Sequence, residues 1–98
     1  MLIERRLVSR KTPLDGRLEI SHDAATRLSS LGAEFPIRAA HEVGVARVEA
    51  MACTCQKGQG GQHVHHFVES AILRALVPGS EVSVEIDGST AVVHCDTA

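Results

Sequence analysis

Near the middle of the chain lies the run CTCQKGQGGQHVHH, residues 53–66, and it leaves the backbone around it little choice. Residues two apart in a strand share a face, so Cys53 pairs in direction with Cys55 and His63 with His65. The segment between them, Gln56–Gln62, holds three glycines and no apolar side chain. It cannot pay for burial and reads as a loop or hairpin tip. Folding back about Gln59 sets Cys55 opposite His63 and Cys53 opposite His65, with Cβ atoms about 4.5–5.5 Å apart. Four thiolate and imidazole donors then converge on one point, the donor set of tetrahedral Zn2+. A site closed by four protein ligands is of the structural kind, with no position left for a reacting water. His66 points to the other face and is a reserve ligand. Cys95, between His94 and Asp96, is a second reserve if the last strand lies alongside. His22 and His41 stand isolated and read as ordinary surface residues.

A metal staple suits a chain of 98 residues, which can bury one modest core. With 2 Phe and no Trp or Tyr, that core has to come from Leu, Ile, Val and Ala.

The flanking sequence reads as short strands with two short helices. Residues 2–9 read as a strand and Pro13–Gly16 signals a turn. Arg17–Ile20 places Leu18 and Ile20 inward. Ser21 is a helix cap, Asp23 suits the first turn, and Ala24, Ala25, Leu28 and Leu31 follow helical spacing up to Gly32. Glu34–Ala40 and Val43–Met51 are β-like, the second running on toward Cys55, with Gly44 a candidate bulge. After the return strand His63–Phe67, Glu69–Leu76 has helical spacing. Glu81–Ile86 and Ala91–Cys95 form a hairpin about Asp87-Gly88. The sum is a single, mostly β domain: a small antiparallel barrel or pseudobarrel of about seven strands, two short helices and a metal-binding hairpin.

The formal net charge of −2 gives no global attraction to nucleic acid. Its distribution is uneven. Residues 1–47 hold eight basic against six acidic residues, and residues 48–98 two against six, so one face can be basic while the molecule is not. The opening Met1–Arg6 is charged too early for an export signal, and no apolar run approaches the ~18 residues of a membrane span. Three cysteines, an odd number, fit a reduced, cytoplasmic chain better than a disulfide framework. No nucleophile–base set and no phosphate-binding glycine loop is evident, so the balance leans away from an enzyme.

Two resemblances bear on function. His63, His65 and Glu69 spell H-x-H-x-x-x-E, similar to the first metal motif of cupins, and that resemblance implies a catalytic metal in a β-barrel. Separately, Thr12–Leu31 (TPLDGRLEISHDAATRLSSL) and Phe67–Ile86 (FVESAILRALVPGSEVSVEI) together resemble the DNA-binding pseudobarrel family of plant transcription factors and restriction-enzyme effector domains. That resemblance implies two arms gripping the major groove. One arm would be Ser9–Thr12, with Arg10 and Lys11 and the flanking Arg5, Arg6 and Arg17. The other would be the hairpin, its tip offering Gln56, Lys57, Gln59 and Gln62, side chains that read purine edges or hold phosphates. The expectation is a non-catalytic, zinc-stabilised binding module with DNA as the preferred partner. A protein-interaction module or subunit with the same zinc is the alternative, and a small cupin-like metalloenzyme a further one.

Overall fold

The computed structural model describes residues 1–53 and 63–95, with only the backbone of Cys53 and His63. Its strands are β1 (Leu2–Leu7), β2 (Arg17–Ile20), β3 (Phe35–Ala39), β4 (Glu42–Cys53), β5 (His63–Glu69), β6 (Glu81–Asp87) and β7 (Thr90–Cys95). A single-turn helix α1 (Thr12–Asp15) precedes β2, helix α2 (His22–Ser29) follows it, and a 3₁₀ helix spans Ala71–Ala75. None of these helices is long and apolar enough to cross a membrane.

The strands form one sheet in the order β1-β6-β7-β3-β4-β5-β2. Neighbours run antiparallel except β3 and β7, which are parallel. The sheet curls, but it does not close as a barrel would. Where a β1–β2 ladder would seal it, the carboxylate of Glu4 accepts the Ser21 backbone N–H at 2.9 Å. A side chain thus satisfies the donor that a strand carbonyl would otherwise take. An open groove of about 550 Å³ remains at this seam, lined by Glu4, Arg5, Arg6, Leu18 and Glu19 among others.

The long β4 links the two halves of the sheet. Its first part, Glu42–Ala46, pairs with β3, and Arg47–Cys53 pairs with β5. Inward alternation supplies the core: Leu18 and Ile20 from β2, Ile37 from β3, Val68 from β5, Val82 and Val84 from β6. The aliphatic core expected from composition also takes in one aromatic, Phe35, the largest fully buried side chain among the described residues. Helix α2 lays Ala24, Ala25 and Leu28 on this core. Ser21 caps it by accepting the Ala24 N–H at 3.1 Å, as its position before the apolar repeat requires.

Several local expectations shift. The Pro13–Gly16 turn is one helical turn, closed by Gly16 at φ 71°. Helix α2 ends at Ser29, short of Gly32. Glu69 closes β5 rather than opening a helix, and the 3₁₀ helix starts two residues later. Gly44 keeps regular register opposite Ile37, so it is no bulge. Its role is close approach: a Cβ there would lie 2.9 Å from Ile72 Cγ2. The β6–β7 loop is Gly88-Ser89, one residue later than expected, because Asp87 and Thr90 are the last ladder pair.

Candidate functional site

Beyond the core, β4 and β5 continue as an arm. Ala50, Met51, Ala52 and Val64 are all exposed, so both faces of this two-stranded ribbon meet solvent. The ladder holds to Cys53↔His63, the last pair before residues 54–62. Cys55 and the tip residues Gln56, Lys57, Gln59 and Gln62 lie outside the described residues.

The register differs from the one read off the run by two residues. Cys53 pairs with His63 and Met51 with His65, which makes Cys53 and His65 diagonal neighbours. The body of the sheet sets this offset. Val68 stands inward between Val48 on β4 and Leu18 on β2, and slipping that apolar pairing would turn core residues out to water. The glycine-rich tip has no comparable burial at stake.

On the outer face of β2, β5 and β4 the charged residues are organised along the strands. At the body end, Arg17 Nε reaches Glu49 at 3.0 Å and Glu69 at 3.4 Å. Arg47 reaches Glu69 at 2.9 Å and Glu49 at 3.5 Å. Two arginines and two carboxylates thus form a neutral network. Further toward the arm, His65 Nδ1 lies 2.7 Å from Glu19 Oε2. A carboxylate on Nδ1 fixes the ring and leaves Nε2 as the nitrogen able to ligate a metal. Next along the same ladder comes the Cys53↔His63 pair.

The cupin-like set does not assemble. His65 and Glu69 sit four residues apart on one extended strand, about 13 Å, and Glu69 is held by Arg47 and Arg17. Neither reserve ligand approaches the arm's outer face. His66 pairs with Ile20 and Ala50, on the opposite face from His65. Cys95 is a free thiol at the end of β7, in an apolar pocket with Ala40 and Glu42. That is the start of β4, eleven residues of strand, roughly 36 Å, from Cys53. Among the described residues no three His, Cys, Asp or Glu side chains converge tightly enough to hold a metal. The proposed zinc set includes Cys55 and the side chains of Cys53 and His63, which lie outside that description.

The residues expected to meet DNA divide in the same way. Arg17 is committed to the network above, and Arg6 lies 3.4 Å from Glu4. Arg10 and Lys11 are exposed on the β1–β2 connection. That connection enters β2 at Arg17, opposite Glu69, whereas the arm's tip leaves β5 at His63. Six residues of strand, about 20 Å, separate the two.

Sequence reasoning missed two partners: Glu19 for His65, and His22, whose ring meets His66. Glu19 alternates outward in Arg17–Ile20, which marks it as exposed, but nothing local says which strand lies beside it. Comparison with protein-family models, curated proteins and solved structures finds no match to the chain.

Proposed function

We propose that this protein is a non-catalytic binding module in which a structural Zn2+, held by Cys53, Cys55, His63 and His65, stiffens the β4–β5 arm for recognition of DNA. The observation that carries the reading is the arm itself. It projects with both faces exposed, and along it Glu19, His65 and the Cys53↔His63 pair follow one another in register. A glycine-rich tip on a bare two-stranded ribbon is too loose to position contacts. A metal at its root would remove that freedom, and a reducing cytoplasm would keep the thiols available for it.

DNA contact would rest on a small set of cations: Arg10, Lys11 and Lys57. The ~20 Å between connector and arm exceeds the ~12 Å width of the major groove. With the arm in the groove, Arg10 and Lys11 fall on the phosphate backbone, where they position without reading sequence.

Fluorescence anisotropy of the zinc-loaded protein with a mixed duplex pool tests this. Three phosphate contacts give an affinity about 40-fold weaker at 200 mM than at 50 mM salt. Replacing Arg10 and Lys11 by alanine flattens that dependence. Absence of binding at ~50 mM salt removes DNA as the partner.

A second reading, a protein-interaction module on the same arm, is favoured by the pairing of Arg6, Arg17 and Arg47 with carboxylates. These guanidinium groups are already neutralised and have less to offer phosphates. Zinc-dependent folding of the arm without DNA binding would select it.

A further inference from the structure

On the core-side face of β5, opposite the proposed zinc hairpin, two histidines meet that are 44 residues apart in sequence. His22 Nδ1 lies 3.4 Å from His66 Nε2, with ring centroids 5.0 Å apart and planes crossing at 63°. We infer that His22 and His66 form a second divalent-metal site, for a borderline ion such as Zn2+ or Cu2+, clamping helix α2 to strand β5.

Three observations carry this. The first is spacing: two imidazole nitrogens bound to one tetrahedral zinc at 2.0–2.1 Å stand about 3.3–3.4 Å apart. The second is anchorage. His66 sits in a strand paired on both sides, with Ile20 and Ala50. His22 opens a helix capped by Ser21, and its carbonyl accepts the Thr26 hydroxyl at 3.0 Å. Neither backbone has to move to bring the rings together. The third is the contact as it stands. At 3.4 Å the two ring nitrogens can share no more than one long N–H···N bond, whereas a metal would engage both lone pairs at once.

Imidazole donors select zinc, copper or nickel over magnesium and calcium, which prefer oxygen. No carboxylate joins the two rings to make a third ligand among the described residues. Water fills the remaining positions, and the site binds more weakly than a four-ligand one. It is independent of the hairpin reading, since it uses neither the same residues nor the same face.

The test is equilibrium dialysis of the full chain, stripped by chelation, against Zn2+ alone. Expected are a tight and a weaker equivalent. His22→Asn and His66→Asn each abolish the weaker one, and Cys53→Ser abolishes the tight one. Cu2+ added to a Cys53→Ser/Cys55→Ser/His63→Asn/His65→Asn variant should show electron paramagnetic resonance coupling to two imidazole nitrogens, lost when His22→Asn is added. Unchanged stoichiometry in both histidine variants overturns the second site. If Cys53→Ser changes nothing while the histidine variants lose zinc, the hairpin reading fails and the His22–His66 site stands.

Discussion

At the scale of single residues, the contact with most chemical content is His65 Nδ1 to Glu19 Oε2 at 2.7 Å. A carboxylate in that position selects the tautomer with a proton on Nδ1 and makes Nε2 the better donor. Glu19→Ala should therefore lower zinc affinity about 10–100-fold while leaving the fold intact, because Glu19 is on the outer face. Competition with a chromophoric chelator measures it, and unchanged affinity would dissociate Glu19 from the metal. The two carboxylates of the neighbouring network behave differently. Glu49 and Glu69 are each shared between Arg17 and Arg47, partly exposed groups whose pairing contributes little to stability singly. Their effect is on function: they remove two guanidinium groups from the surface available to phosphates.

Among the elements, the β3–β4 hairpin stores strain that its sequence could relieve. Ala39 and Glu42 are its last ladder pair, so Ala40 and His41 make the turn. Ala40 takes φ 55°, the only positive φ of a non-glycine residue among those described. A side chain in that region costs about 1–2 kcal/mol, which glycine avoids at the expense of greater freedom when unfolded. Ala40→Gly should therefore raise stability, by about 0.5–1 kcal/mol net, read as a higher denaturation midpoint with unchanged slope. A lower midpoint would mean that the turn relaxes in solution.

The element boundaries follow local chemistry closely. The Ser21 cap, the inward Leu18 and Ile20, and the inward Val82 and Val84 all lie where their spacing places them, while Ser83 between the two valines is buried as well. The departures share one cause. Gly44 looks like a bulge because a strand glycine has two common uses, and only the packing of Ile72 against it chooses close approach. Glu69 looks like a helix-start acid because the apolar spacing that follows it is helical, yet pairing with Arg17 and Arg47 across three strands keeps it in β5.

For the whole molecule, the core and the arm are separable. The buried cluster takes Ala46 from β4 and Val68 from β5, with Val48 packed against it, and among the described residues none of the arm beyond. Chelation should leave the far-ultraviolet β signal and a cooperative melt in place. Hydrogen-exchange protection should fall selectively at Ala50–Cys53 and His63–His65. Global unfolding on chelation would place the metal in the core's stability instead, as in the smallest zinc domains.

The sequence by itself determined, to within a residue, where the strands and α2 begin, most of the side chains that turn inward, and that the run from Cys53 to His66 must double back. Those properties depend on spacing within a few residues, through the periods of strand and helix and through caps and turns. Tertiary structure alone decided that the sheet stays open at the Glu4–Ser21 seam and that the arm pairs Cys53 with His63. It also brought Glu19 to His65 and His22 to His66. The reason is that partners 44 or 46 residues apart depend on which strands become neighbours and in what offset. That offset is chosen by burial of Leu18, Val48 and Val68 in the body, not by the polar residues whose meeting it decides.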